Sequence, residues 1–163
     1  MVAELGHFAL ILCAVLSALL AVVPALGVQR RQWVWMAMAR PLTVLMWGLL
    51  ALSFACLAHS FLTNDFSVRY VAQHSNTLLP KAYQFAAIWG GHEGSLLLWI
   101  FLLATWMLAV AAFSRSLPQT MVARVLSILG AVSLGFLLFI LFTSNPFERL
   151  LPAPAEGLSL IHI

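Results

Sequence analysis

The sequence predicts an all-α, polytopic integral membrane protein with four transmembrane helices, and three observations support that fold class. First, 63% of the 163 residues are hydrophobic and 8% are charged, which is more apolar surface than a soluble domain of this length can bury. Second, four runs without Asp, Glu, Lys or Arg are long enough to cross most or all of a bilayer. Third, the basic residues are concentrated in two of the links between these runs.

The first two spans are expected over about residues 5–28 and 41–63. A secretory signal peptide would carry basic residues before its apolar run. Here Glu4 precedes the run and arginines follow it, so we expect the first span to be retained. Pro41 stands at a position typical of a helix start, which marks the beginning of the second span.

A polar loop over residues 64–94 is expected to leave the membrane and to include a short surface helix near its end. The third span follows over about 95–113, with Ser95 as the N-cap of its helix. The fourth span is expected over about 125–143. Small residues recur every four positions along it, and we expect this stripe to face inward against another helix: Ser127, Ala131 and Gly135.

The distribution of charge predicts the orientation. The first and third links contain five arginines and no acidic residue, so both links are expected in the cytoplasm: Arg30, Arg31, Arg40, Arg115 and Arg124. Both ends of the chain and the polar loop are then expected to face outward. In a bacterial cell this outward compartment is the periplasm. The longest run of basic residues is the pair Arg30-Arg31, which is too short to follow a phosphate backbone. Nucleic acid is therefore not an expected partner.

The most polar short stretch is Trp-Gly-Gly-His-Glu-Gly-Ser, residues 89–95, which we call the elbow. His92 and Glu93 place an imidazole and a carboxylate at the membrane surface, directly before the third span. The glycines allow the backbone to turn and to approach another surface closely. Two interpretations remain open at this point: a well-capped helix entry at the interface, or a surface that faces a ligand.

In the predicted orientation three histidines lie at about the same depth, near the outer ends of their spans: His7, His59 and His92. Histidines placed in this way could form a bis-imidazole haem site or a proton relay, or they could be solvated or bonded to neighbouring carbonyls. No motif indicates a catalytic nucleophile, a phosphate-binding loop or a metal-binding helix. The Cys-x-x-Cys-His motif of c-type cytochromes is also absent from the sequence. Catalytic residues therefore stay unassigned.

Four stretches together resemble the haem lyase subunit of bacterial cytochrome c maturation, the CcmF/NrfE family. The longest is WGGHEGSLLLW, residues 89–99. The other three occur in the family's order: ELGHFAL at 4–10, NTLLPKAY at 76–83 and TSNPFERL at 143–150. The resemblance covers essentially residues 4–157.

This resemblance implies a multi-pass inner-membrane protein that helps to deliver haem for covalent attachment to apocytochrome c. It implies a haem chaperone, apocytochrome c and thiol-handling maturation proteins as partners, and a b-type haem in full-length family members. Trp89, His92 and Glu93 become candidates for a haem or partner surface, and His7 and His59 become further candidates for haem binding. A transport or channel subunit that moves protons or a small solute is the alternative function.

The sequence also departs from the family. Family members are several times longer, and their tryptophan-rich haem-handling segment with its axial histidines lies downstream of anything present here. We therefore expect residues 1–157 to be the N-terminal transmembrane part of such a subunit, neither competent nor haem-binding alone. Residues 158–163 do not resemble the family's continuation, and we expect them to be a foreign or truncated tail.

Overall fold

The computed structural model describes residues 1–154 and 156–157, and regular structure in this part of the chain is helical. Its helices are α1 (Val2–Gln29), α2 (Trp33–Ala37), α3 (Ala39–Leu62), α4 (Arg69–His74), α5 (Lys81–Ala87), α6 (His92–Phe113) and α7 (Gln119–Thr143). Four helical regions are long and apolar enough to cross a membrane, namely α1, α2 with α3, α6, and α7. The prediction of an all-α chain with four membrane-spanning helices is confirmed. The predicted foreign tail, 158–163, lies outside the described residues.

The four long helices form a closed ring. Helix α1 packs against α3 and α7, and α6 packs against the same two helices on the opposite side. Because α1 and α6 begin at the end where α3 and α7 finish, neighbouring helices in the ring run in opposite directions. Large apolar side chains of all four helices fill the centre, among them Leu10, Leu57, Ile100 and Leu137.

Each end of the ring has a distinct charge. At one end, which we call the arginine end, lie α2, the α6–α7 link and the five arginines that the sequence places together. At the other end, which we call the loop end, lie α4, α5 and the segment after α7. The acidic side chains of the described chain are at the loop end: Glu4, Asp65, Glu93, Glu148 and Glu156.

Each of the four long helices begins before its predicted span, and in α3 and α6 this changes the position of a predicted helix-start residue. Helix α3 begins at Ala39, so Pro41 lies inside its first turn, where a missing N–H leaves no intrahelical hydrogen bond unmade. Helix α6 begins at His92, and its N-cap is Gly91 rather than Ser95. His92 and Glu93 are therefore part of the helix, and the Glu93 carboxylate lies in the first turn, where the helix dipole favours negative charge.

Small residues bring α1 and α7 together, but they are not the stripe that the sequence predicted. Ser127 is buried, whereas Ala131 and Gly135 are exposed, so the prediction was wrong for two of its three members. The close contact is made at Gly130, whose carbonyl accepts a hydrogen bond of 2.8 Å from the buried Ser17 hydroxyl of α1. A spacing of four residues identifies a helix face, but it does not say which face meets a neighbour.

Candidate functional site at the loop end

The elbow is a tight turn between α5 and α6, and backbone contacts hold it. The Ser95 hydroxyl lies within hydrogen-bonding distance of two carbonyl oxygens of the elbow, those of Trp89, at 3.1 Å, and Gly91. Ser95 therefore bonds backwards from within the first turns of α6 instead of capping the helix. The Trp89 ring packs edge to face on Phe85 of α5, with ring centroids 5.2 Å apart.

Tyr70 of α4 fixes the elbow from the inside. Its hydroxyl accepts a hydrogen bond of 3.0 Å from the Gly91 N–H and donates one of 3.0 Å to the Ile88 carbonyl. The residue is 2% exposed, and burial raises the pKa of Tyr70 above its ordinary value. The neutral phenol is therefore the form that holds the elbow, as both a donor and an acceptor.

Two elbow glycines are required by this close approach. A Cβ atom built on Gly94 would lie 1.7 Å from the Ile88 carbonyl oxygen and 2.5 Å from the Tyr70 hydroxyl. One built on Gly91 would lie 2.6 Å from Nε2 of His74. These distances leave no space for a side chain. The expectation that the glycines let the backbone approach another surface is confirmed: Gly94 packs against the Ile88 carbonyl at the end of α5, and both glycines pack against side chains of α4.

The segment after α7, residues 144–150, crosses the loop end, and we call it the strap. Its first two residues bond to two of the three candidate histidines. The Ser144 hydroxyl lies 3.1 Å from Nδ1 of His92, and the Asn145 side-chain amide nitrogen lies 3.2 Å from Nδ1 of His7. The strap therefore orients one imidazole on α6 and one on α1.

The Asn145 side chain also determines which nitrogen of His7 carries a proton. Its oxygen accepts a hydrogen bond of 3.0 Å from the Phe147 N–H, which turns its NH₂ group towards His7. Nδ1 of His7 then accepts, and the neutral ring carries its proton on Nε2. A serine hydroxyl can either donate or accept, so the contact with Ser144 leaves both tautomers open to His92.

The rest of the strap is fixed by charge and by backbone pairing. The Arg149 guanidinium pairs with Glu4 on α1, where Nε and Oε1 are 3.0 Å apart, and with Asp65 at 3.5 Å. Glu148 accepts from Arg69 of α4 at 3.0 Å. The Arg69 N–H also donates to the Glu148 carbonyl at 2.8 Å. The strap thus connects the start of α1, α4 and the start of α6 into one unit.

The other predicted site residues are less constrained. His59 is exposed on α3, and within the described part of the chain its ring makes no hydrogen bond and no contact with His7. Glu93 is half-buried, and its carboxylate has no hydrogen-bond partner among the described residues. Trp89 is 38% exposed. No group of three or more His, Cys, Asp or Glu side chains in that part of the chain could hold a metal ion.

Apolar cavities lie beside the two strap-bound histidines. One of about 390 Å³, between α6 and α7, is lined by Leu96, Val132, Gly135, Phe136 and Phe139. The His92 ring packs edge to face on Phe139, at a centroid distance of 6.2 Å. A second cavity, of about 380 Å³ between α1 and α7, has His7 in its wall. Each imidazole therefore sits at the edge of an apolar surface.

The sequence did not indicate the strap as a structural element. Its residues follow the fourth span as a polar, proline-containing stretch, which is typical of any segment leaving a membrane. The resemblance included residues 143–150 but implied no role for them. The signal that could have identified the strap is the pair Glu148-Arg149, opposite charges at a membrane surface that need partners elsewhere in the chain.

Comparison with known proteins connects this geometry to a family. The family model described as cytochrome C assembly protein matches residues 89–163, a match that starts at the elbow. Cytochrome c-type biogenesis protein CcmF of Haemophilus influenzae is 52% identical over 161 residues, which are 98% of this chain and 25% of that protein. The CcmF protein of Escherichia coli is 51% identical over 98% of this chain and 25% of its own length. Cytochrome c-type biogenesis protein NrfE of Haemophilus influenzae is 46% identical over 98% of this chain and 25% of its own length.

The fold is similar to that of a solved structure named cytochrome c heme lyase CcmF. The TM-score is 0.86 at 26% sequence identity, over 91% of this chain and 25% of that one. The chain therefore spans about a quarter of the length of the relatives that it matches. The elbow, the strap motif and the fold agree: over nearly its whole length the chain is similar to part of the cytochrome c-type biogenesis proteins CcmF and NrfE.

Proposed function

We propose that this chain is part of a membrane haem lyase, which delivers haem for covalent attachment to apocytochrome c. The observation that carries the proposal is 52% identity to a CcmF protein over 98% of the chain. Because the chain covers 25% of that protein, the activity belongs to the full-length protein. We assign the loop end as the part that this chain contributes, because Trp89, His92 and Glu93 lie there.

The proposal places the loop end in the periplasm and the arginine end in the cytoplasm of the bacterial inner membrane. The support is the charge distribution: five arginines and no acidic residue lie at one end of the described ring. Arginines in short links are retained on the cytoplasmic side during insertion. Apocytochrome c, a haem chaperone and thiol-handling maturation proteins are then partners on the loop side.

Within the loop end, we propose Trp89, His92 and Glu93 as the surface that meets haem or a partner. The His92 ring is exposed, oriented through Nδ1 and packed beside an apolar cavity of about 390 Å³. Its Nε2 has no hydrogen bond within the described residues, so it can ligate or donate. The Glu93 carboxylate beside it is also unbonded there. An apolar surface bordered by such groups fits one face of a flat macrocycle with polar substituents.

His7 has a different role in this proposal. Its Nδ1 accepts from Asn145, so the neutral ring presents an Nε2–H donor rather than a lone pair for iron. His7 can therefore bond to a carboxylate or water at the surface, and no hydrogen bond or ring contact joins it to His59 within the described residues. The b-type haem of the family is accordingly assigned to residues outside this chain. Haem enters this part of the protein as a substrate.

The test replaces His92 or Glu93 with Ala in the full-length protein and measures periplasmic holocytochrome c. Each replacement is expected to lower the holocytochrome level about tenfold at unchanged amounts of the variant protein. His59→Ala is the matched control, since it removes an exposed histidine at the same end without a strap contact, and it should leave the level unchanged. Normal maturation in both the His92 and Glu93 variants would show that the elbow is structural.

Proton or solute transport is the alternative function, and the interior of the ring does not favour it. The buried polar side chains of the spans are serines and one threonine, and most of them bond to a carbonyl of their own helix or of a neighbouring helix, or to sulfur. A proton path needs titratable groups at mid-membrane depth. Proton flux into liposomes containing the full-length protein separates the two functions, and a haem lyase should show none above that of empty liposomes.

A further inference from the structure

A further cavity lies at the arginine end and has no part in the proposed haem surface. It measures about 340 Å³ and opens between the α2–α3 junction, the α6–α7 link and the first turns of α7. Two arginines line it, Arg40 from the start of α3 and Arg115 from the link. The remaining lining includes Gln119 and apolar residues such as Leu117 and Val122. The cavity therefore combines two cations with an apolar wall.

Neither guanidinium group is neutralised by an acidic side chain among the described residues. One amino group of Arg40 donates to the Ser114 carbonyl at 3.0 Å, which fixes the side chain against the link. A guanidinium has five N–H donors, so most of those on Arg40 remain available. In the part of the chain that the structure describes, neither Arg40 nor Arg115 forms an ion pair, and the acidic residues lie at the loop end. The positive charge of these two groups therefore favours the binding of an anion in the cavity.

The surroundings of the cavity also favour an anionic ligand, and one that carries apolar chains. Helix α7 begins beside it, so the first N–H groups of that helix add partial positive charge. The Arg30 guanidinium, at the same end, lies 5.7 Å from the centre of the Trp35 ring, in a cation–π contact separate from the cavity. Large apolar side chains near the mouth are exposed, including Phe113 at 85% and Met121 at 52%. A ligand with both an anionic group and acyl chains would satisfy both features.

We propose that this cavity binds the headgroup of an anionic phospholipid, with its phosphate between Arg40 and Arg115. Basic cavities between helices at a membrane surface are typical sites for such headgroups. Arginine forms forked hydrogen bonds with phosphate oxygens, and here two arginines approach from different elements. The acyl chains then extend along the exposed apolar surface of α6 and α7. The bound lipid connects α3, the α6–α7 link and α7 at the end opposite the haem surface.

The experiment titrates the detergent-solubilised full-length protein with phosphatidylglycerol or phosphatidylethanolamine and counts bound lipids by native mass spectrometry. The wild type should prefer phosphatidylglycerol. The double variant Arg40→Gln/Arg115→Gln should bind it about 25-fold more weakly, since each basic residue near an anionic surface contributes about fivefold. The matched control Arg30→Gln/Arg124→Gln removes two charges from the same end outside the cavity and should lose less than about twofold.

A single variant and three contrary outcomes complete the test. Arg115→Gln alone breaks no hydrogen bond among the described residues, so it should fold normally and weaken binding about fivefold. Equal binding of the two lipids, or equal losses in the cavity and control variants, would overturn the proposal. Displacement of the lipid by millimolar inorganic phosphate would also overturn it, because the site would then select free phosphate rather than a lipid headgroup.

Discussion

The Ser144 hydroxyl lies 3.1 Å from Nδ1 of His92, across a sequence separation of 52 residues. This contact joins the strap to the elbow, the two polar motifs that most distinguish the sequence. It matters for function because an imidazole held at one nitrogen presents the other in a defined direction. The strap thus positions a group of the proposed haem surface without belonging to that surface.

Replacement of Ser144 tests this positioning. Ser144→Ala should lower periplasmic holocytochrome c several-fold while reducing the free energy of unfolding by about 1 kcal/mol, the usual value for one hydrogen bond. Ser144→Thr keeps the hydroxyl and should restore maturation to near the wild-type level. A Thr variant as defective as the Ala variant would contradict the assigned hydrogen bond, and the comparison needs both holocytochrome levels and thermal unfolding.

Arg149 is expected to be the strongest single attachment of the strap. It is partly buried, pairs with both Glu4 and Asp65, and also donates to the Ser67 hydroxyl. Arg149→Ala should reduce the free energy of unfolding by about 1–2 kcal/mol, between the values for exposed and buried ion pairs. Arg69 provides the comparison, because its ion pair with Glu148 is exposed on both sides. Arg69→Ala should change stability by less than about 1 kcal/mol in the same unfolding measurement.

The glycines of the elbow differ in how much space surrounds them. A Cβ on Gly94 would overlap the Ile88 carbonyl oxygen, whereas one on Gly90 would lie 3.5 Å from its nearest neighbour in Ala87. Gly94→Ala should therefore reduce the free energy of unfolding by about 1–3 kcal/mol through overpacking. Gly90→Ala should stay within about 0.5 kcal/mol of the wild type. Equal effects in chemical or thermal unfolding would mean that the Ile88 carbonyl does not pack against Gly94 as described.

Tyr70 gives the elbow a pH dependence. Burial raises the pKa of the folded-state Tyr70 phenol, so its contribution to stability is complete below the unfolded value of about 10. That contribution is lost as the pH rises above this value towards the folded-state pKa. Melting temperature measured between about pH 8 and pH 11 should fall more steeply for the wild type than for Tyr70→Phe. Parallel curves would show that the phenol is not buried.

The four spans and the charge separation could be predicted because each depends on local composition. A run of about 20 apolar residues without charge has few alternatives to a membrane-spanning helix. Helix starts were less predictable, since Gly91 and Ser95 both suit an N-cap. Gly91 is the N-cap of α6, and the Tyr70 hydroxyl, which is distant in sequence, bonds to the Gly91 N–H and not to Ser95.

The candidate site could be predicted only in part. His92 and Glu93 were identified because they stand out within an apolar sequence. The strap could not be identified, because its contacts connect distant residues; Arg149 and Glu4 are 145 positions apart. The same limit applies to helix packing, where the Ser17–Gly130 contact joins residues 113 positions apart. Hydrogen bonds and ion pairs between residues so far apart in the chain produce no repeating pattern of polar residues that a sequence analysis could detect.

In the proposed orientation the strap and the elbow face the periplasm. Leu78 is 83% exposed in the loop, Ser116 is exposed in the α6–α7 link, and the natural Cys13 and Cys56 are buried. Single cysteines are therefore introduced as Leu78→Cys and Ser116→Cys in the full-length protein. Intact spheroplasts are then treated with a membrane-impermeant maleimide. We expect the Leu78→Cys variant to be labelled at once and the Ser116→Cys variant to be labelled only after the membrane is permeabilised. The reverse pattern would contradict this orientation.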